Sequence, residues 1–178
     1  FERLGVRAEL SRDVDRIRRA SHVVLPGVGA AAPGMQRLRE AGLDRLIPTL
    51  TQPVLGVCLG MQLLFDASAE GDTTCLGILR GKLSRFDGGR CGRVPRMGWN
   101  RVDTIKPSPL LAGLERDAFA YFVHSYAAPV TAATVASCDY GGAFAAVVSE
   151  RNFHGAQFHP ERSAAVGARL LANFLELQ

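Results

Sequence analysis

The stretch Pro53-Val-Leu-Gly-Val-Cys58-Leu-Gly-Met-Gln62 decides how this chain is read. An apolar run from Pro53 to Val57 meets Gly56-Val-Cys58-Leu-Gly60, a cysteine between two glycines. Glycine on both sides lets a strand turn sharply into a helix and lets the two pack closely, which is the pattern of a nucleophile elbow. The unpaired N–H groups and positive dipole end of that helix would face the sulfur, and both are expected to favour the thiolate. Taken alone, a cysteine after an apolar strand reads more often as a small buried hydrophobe.

A second segment changes the weighing. Gln157-Phe-His-Pro-Glu-Arg-Ser163 carries His159 and Glu161 on either side of Pro160, again at the end of an apolar run. A thiol nucleophile needs a base that can hand its proton on, and a histidine oriented by a carboxylate supplies one. In a parallel α/β sheet the carboxyl ends of the strands share one rim, so Cys58, His159 and Glu161 are expected to meet there as a triad.

Working outward, the first residues read as the last turn of a helix ended by Gly5, followed by a short strand, Val6 to Leu10. Ser11 and Asp13 start a helix through Ala20, and His22 to Leu25 is a buried strand ended by Pro26. Pro33 opens a helix stopped by Gly42, and Leu43 to Leu50 is helical until Pro48 breaks it. Strand Val54 to Val57 then leads into Cys58. This alternation argues for a parallel sheet with helices packed on it.

After about residue 75 the texture changes to antiparallel or mixed strands: Ile78 to Phe86, Gly98 to Ile105, Ala118 to Ser125, Thr134 to Cys138, Ala143 to Ser149 and Phe153 to Phe158. The last element, Ala164 to Leu177, places Val166, Leu170, Phe174 and Leu177 on one face of an amphipathic helix. No repeat, linker or boundary interrupts the chain, and its 178 residues are expected to form a single domain, 1–178.

Composition excludes several classes. Hydrophobic residues make up 47% and charged residues 21%, an ordinary balance without a low-complexity tract. No apolar run approaches the roughly 18 residues of a membrane span, and no signal segment is seen. Four cysteines, Cys58, Cys75, Cys91 and Cys138, are too few and wrongly spaced for a disulfide framework or a CxxC site, so a reducing cytoplasmic setting is expected. No metal site and no cofactor are expected. The net charge of +4 is concentrated at Arg80, Lys82, Arg85, Arg90, Arg93, Arg96 and Arg101, yet few aromatics interleave, so a solvated face or a protein interface is favoured over nucleic acid.

The motifs Leu25-Pro-Gly-Val-Gly-Ala30, Pro53 to Phe65, Glu70 to Leu79, Pro95-Arg-Met-Gly-Trp-Asn100, Tyr121-Phe-Val-His-Ser-Tyr126 and Gly155 to Ser163, in that order, resemble the class I glutamine amidotransferases. They are most similar to the glutaminase subunits of the histidine pathway. The resemblance implies a flavodoxin-like, three-layer α/β fold with a central, mostly parallel sheet. That family opens with a strand and most of a helix, roughly 25 residues, so this chain is expected to lack its first strand and helix, with that strand central in the sheet.

The resemblance implies glutaminase chemistry: Cys58 attacks the side-chain amide of glutamine, ammonia leaves with a proton from His159, and water hydrolyses the thioester. It assigns oxyanion donors to the Leu59 and Val28 N–H groups, the latter in a loop whose glycines permit a peptide flip. It assigns glutamine binding to Gly29, Gln62, Ser125 and Tyr126. It also implies a heterodimer with a cyclase subunit, a (β/α)8 barrel that uses the ammonia to convert a phosphoribulosyl-formimino aminoimidazole carboxamide nucleotide into imidazole glycerol phosphate and aminoimidazole carboxamide ribotide, with Met97, Trp99, Asn100 and Arg162 at the contact. His124 lacks a neighbouring carboxylate and reads as a loop or interface residue; His22 and His154 read as strand histidines. Arg96 stands where the family commonly has histidine, and Arg162 where it has lysine.

Other readings stay open on sequence: a glutaminase for another synthase, such as those of guanylate, anthranilate or pyridoxal phosphate, or a non-catalytic binding module. A cysteine α/β-hydrolase is disfavoured, because its acid would precede its histidine at a distance rather than follow it by two residues.

Overall fold

Asp13 closes an irregular opening segment by capping the first helix, its carboxylate accepting the Arg16 N–H at 2.9 Å. A computed structural model describes residues 1–115 and 117–178. In chain order the helices are α1 (Val14–Arg19), α2 (Ala31–Glu40), α3 (Leu43–Leu46), α4 (Leu59–Leu63), α5 (Gly88–Cys91) and α6 (Ala164–Leu175). The strands of the first half are β1 (Val23–Leu25), β2 (Val54–Val57), β3 (Phe65–Ser68), β4 (Thr73–Thr74), β5 (Leu79–Arg85) and β6 (Arg96–Arg101). Those of the second half are β7 (Asp103–Thr104), β8 (Phe119–His124), β9 (Tyr126–Ala127), β10 (Thr134–Asp139), β11 (Ala143–Glu150) and β12 (Phe153–Ala156).

The central sheet has the order β1-β2-β12-β11-β10-β7. It is mixed: β1, β2 and β12 run parallel, and β11, β10 and β7 alternate antiparallel beyond them. Successive side chains of a strand face opposite layers, and β2 shows the consequence. Val54 joins a core with Met35, Leu38, Met61, Leu64 and Phe65 under α2 and α4, while Leu55 joins a second core with Phe122, Phe144, Phe158, Leu170 and Phe174 under α6. That gives three layers. A smaller sheet, β4-β3-β5-β9, and a two-stranded ribbon, β6-β8, flank the centre.

Several elements follow from local signals. Gly42, at φ 67°, separates α2 from α3, and a single 3-10 turn at Ile47–Thr49 replaces the helix at Pro48. Helix α6 ends two residues earlier than its apolar face suggests, and it is pinned by Asn173, whose Nδ2 donates to the carbonyls of Leu110 at 3.0 Å and Ala112 at 2.8 Å.

Two readings need correction. Val6 to Leu10 is not a strand but an extended segment, and Leu10 is 93% exposed. Alternation alone does not make a strand: its N–H and C=O groups need a paired neighbour, and among the described residues none lies beside it. Phe65–Ser68, unassigned from sequence, is a strand because β5 runs parallel to it and β4 antiparallel.

Candidate active site

The elbow around Cys58 is built by close contact. A Cβ on Gly60 would lie 1.8 Å from the Leu25 carbonyl oxygen, and one on Gly56 would lie 2.6 Å from the Met61 nitrogen. Only glycine permits these approaches. Between them Cys58 adopts φ 52° and ψ −110°, a conformation non-glycine residues rarely take. It is held there by its own N–H, which donates to the Ala156 carbonyl of β12 at 2.8 Å. Strain fixed by surrounding structure is common where chemistry is done.

His159 follows β12 and sits on a turn anchored to β8. Its N–H donates to the Tyr121 carbonyl at 3.0 Å, and the fully buried Ser163 takes the Tyr121 N–H at 3.0 Å while donating to the His159 carbonyl at 2.7 Å. The His159 Nδ1 lies 3.0 Å from Glu161 Oε1, so a neutral ring carries its proton on Nδ1 and keeps Nε2 free to act as a base.

Cys58, His159 and Glu161 line one cavity of about 480 Å³, together with Val28, Gly29, Leu59, Gln62, Ser125, Tyr126 and Arg162. Gly29, at φ 101°, is in the left-handed region glycine favours, and Val28 is 77% exposed. The Leu59 N–H is directed at the sulfur and lowers the thiol pKa, but burial dominates and the Glu161 charge adds to it, pushing Cys58 up to about 11. The expected resting thiolate is therefore corrected to a protonated thiol: removing the sulfur from water costs the anion more than one N–H returns.

Gln62 and its neighbours form a network that spacing did not disclose. Gln62 Nε2 donates to the Tyr126 carbonyl and to Gln157 Oε1, each at 2.9 Å. The fully buried Gln157 directs its own Nε2 at the Cys58 sulfur, 3.8 Å away. The Gln62 amide thus holds cavity walls together. Glu70, also missed, lines the cavity and accepts the Ala31 N–H at 2.7 Å, capping α2 directly after the Gly27–Ala30 loop. Its place at the head of the Glu70-to-Leu79 motif was the available signal.

His124 is not on a loop. It ends β8, is 6% exposed, and is packed among Phe86, Phe122 and Phe144. Burial lowers its pKa to about 4, with the Tyr126 carbonyl opposing and Arg96 and His159 assisting. Although His124 also lines the cavity, its Nδ1 is spent on the Tyr126 carbonyl and no carboxylate orients it, so it is no rival to His159 as base. His154 likewise stays buried on β12, with burial lowering it to about 4 and its Nδ1 3.0 Å from Ser149 Oγ.

Beside the cavity, the β6-β8 ribbon turns an apolar face outward. Met97, Trp99 and Phe119 are 54%, 51% and 49% exposed, Trp99 meets Tyr121 edge-on at 6.0 Å, and the Arg162 guanidinium covers the Tyr121 ring at 4.9 Å. Asn100 lies on the opposite face of β6 from Met97 and Trp99, half-buried, with its Nδ2 donating to the Asp139 carbonyl at 2.8 Å. Among the described residues no three His, Cys, Asp or Glu side chains are grouped to hold a metal ion, and no helix is long and apolar enough to cross a membrane.

The model of the family described as "Glutamine amidotransferase class-I" matches residues 6–177. The chain is 56% identical over 177 residues to "Imidazole glycerol phosphate synthase subunit HisH" of Xanthomonas campestris pv. campestris (strain 8004), covering 99% of this chain and 88% of that one. It is 52% identical, with the same coverage, to the protein of that name in Xylella fastidiosa (strain Temecula1 / ATCC 700964). A crystal structure described as that of a glutamine amidotransferase is similar with TM-score 0.74 at 20% identity, over 98% of this chain and 88% of that chain. Another, of a putative GMP synthase component from Thermoplasma acidophilum, has TM-score 0.69 at 19% identity, over 92% of this chain and 75% of that chain. At such identities these structures speak for the fold.

Proposed function

This chain belongs to the class-I glutamine amidotransferase family, and from that premise we propose that it works as the glutaminase subunit of an imidazole glycerol phosphate synthase. The observation that carries the reading is the shared cavity of Cys58, His159 and Glu161, with the imidazole Nδ1 already 3.0 Å from the carboxylate. The identity of 56% to a protein named as that subunit supports the choice of synthase.

Glutamine enters with its side-chain amide against Cys58. Because the thiol is protonated at rest, His159 takes its proton as the sulfur attacks the amide carbon, and Glu161 stabilises the resulting imidazolium. The tetrahedral oxyanion is met by the Leu59 N–H and by a second donor from the Val28 loop; one such donor is worth about 2.7–4 kcal/mol. The imidazolium then protonates the departing nitrogen, the C–N bond breaks, and ammonia leaves a glutamyl thioester. Water, deprotonated by His159, attacks that thioester, and the C–S bond breaks to release glutamate and restore the thiol.

At the other end of the substrate, the α-ammonium needs an anion. Of the two carboxylates lining the cavity, Glu161 serves His159, which leaves Glu70 for this role. The α-carboxylate falls to backbone groups of Gly29, Ser125 and Tyr126, with Gln62 bracing the Tyr126 carbonyl.

Ammonia released to water protonates and is lost, so the glutaminase acts docked on a second subunit. The exposed face of Met97, Trp99 and Phe119 with Arg162 at its rim suits such a contact, and the proposed partner is a (β/α)8-barrel cyclase in a heterodimer, in a reducing cytoplasm. The test mixes the chain with this cyclase, and separately with anthranilate, guanylate and pyridoxal phosphate synthase subunits, and measures glutamine-dependent product. Formation of imidazole glycerol phosphate is expected; product with another synthase alone would reassign the pathway.

A further inference from the structure

Among the described residues, two buried side-chain nitrogens have no hydrogen-bond partner, Arg96 Nε and His124 Nε2. They belong to directly opposed residues of the β6-β8 ribbon. Side chains opposed in this way leave the same face of an antiparallel pair, with Cβ atoms about 4.5–5.5 Å apart.

The two atoms are chemically complementary. His124 Nδ1 lies 2.8 Å from the Tyr126 carbonyl, which can only accept, so Nδ1 carries the proton and Nε2 of the neutral ring is an acceptor. Arg96 Nε–H can only donate. Elsewhere on the guanidinium, Nη2 donates to the Trp99 carbonyl at 2.7 Å, and Cζ lies over Tyr140 at 4.7 Å from the ring centre. A buried donor without an acceptor, on a residue directly opposed to one bearing a buried acceptor without a donor, is an unstable arrangement unless the two are joined.

We propose that Arg96 Nε–H and His124 Nε2 share one buried hydrogen bond, directly or through a single water, and that Arg96 is thereby a positioning residue for glutamine hydrolysis. This rests on the functional reading above. The link works through the Tyr126 carbonyl, which takes His124 on one side and Gln62 on the other, and Gln62 continues through Gln157 to the Cys58 sulfur. Holding the His124 ring holds that carbonyl, and with it the wall against which glutamine and the nucleophile are aligned. Arg96 touches neither.

The test is a double-mutant cycle on the chain assembled with its synthase subunit, reading kcat and KM for glutamine. Asparagine at 124 can still donate to the Tyr126 carbonyl but has nothing at the Nε2 position. Arg96→Met and His124→Asn are each expected to lower kcat/KM about tenfold, and the double variant by about tenfold in total rather than a hundredfold, because partners in one interaction do not add. Losses that multiply, or an Arg96→Met variant within twofold of the parent, would overturn the proposal. A second readout needs no activity: in 15N spectra of the unliganded chain, His124 Nε2 should resonate as an acceptor in a hydrogen bond, and Arg96→Met should move it while Nδ1 stays protonated. A free-acceptor shift in the parent chain overturns the bond even if the variants do not fold. An assembled parent that does not hydrolyse glutamine would instead sink the functional reading, leaving the spectrum to decide the bond.

Discussion

Ser163 donates its hydroxyl to the His159 carbonyl at 2.7 Å and in the same position accepts the Tyr121 N–H at 3.0 Å. One buried side chain thus fastens the turn that bears His159 and Glu161 to strand β8. Replacing it with alanine leaves the Tyr121 N–H without a partner, at a cost of about 1–3 kcal/mol, while the His159 carbonyl keeps only the Arg162 N–H at 3.0 Å. Ser163→Ala is expected to lower the free energy of unfolding by roughly that much, measured by urea titration, and to reduce kcat for glutamine more than it raises KM. Unchanged stability would show that the hydroxyl is not holding the turn.

Cys58→Ala is expected to abolish glutamine-dependent synthesis in the assembled enzyme while leaving ammonia-dependent synthesis near the parent rate, because the second reaction belongs to the partner. Parallel loss of both activities would reject the division of labour.

Glu161→Gln keeps the size of the side chain but removes the charge that stabilises the imidazolium. It should cut kcat about a hundredfold with a change in KM of no more than a few-fold, the range typical of an impaired acid–base pair. A variant that raises KM alone would make Glu161 a binding residue.

A glutamine-mimicking electrophile should label Cys58 before the other three cysteines, although burial holds Cys58 at about 11, like Cys75, and Cys138 at about 12. Selectivity then comes from His159 receiving the proton in the complex. A simple alkylating agent without a glutamine group lacks that help and should reach the partly exposed Cys91 first. Peptide mapping of the two reactions separates the cases; equal order with both reagents would mean that Cys58 is activated at rest.

Acid should unfold the chain through its buried histidines. His124 and His154 are both depressed from 6.5 to about 4, so the unfolded chain takes up their protons first. The stability they contribute is complete above pH 6.5 and is lost as pH falls towards 4, on the order of 3 kcal/mol for each ring. The melting temperature should drop across that window, and His154→Asn should flatten the drop. A profile unaffected by this substitution would place the acid sensitivity elsewhere.

What the sequence determined by itself was local. Gly56 and Gly60 around Cys58 specify a tight strand–helix turn because backbone approach is decided by the absence of a Cβ, and His159 with Glu161 two residues on specifies a base and its orienting carboxylate. The alternation of helices and strands up to Cys58, and the apolar stripe of Leu170 and Phe174, specified layers. What only the tertiary structure decided depends on pairing and burial. Cys58 and His159 line one cavity because β2 lies parallel to β12, with Val57 opposite Ala156, a choice of neighbours made across about a hundred residues. Gln157 reaches the Cys58 sulfur and Glu70 reaches the cavity by contacts no spacing encodes. The inward turn of Asn100 follows from the register of β6 on β8, and a shift of one residue would reverse it. The protonation of Cys58 and of His124 was set by how much water the finished fold removes from each, which is a property of the packed molecule and of no segment alone.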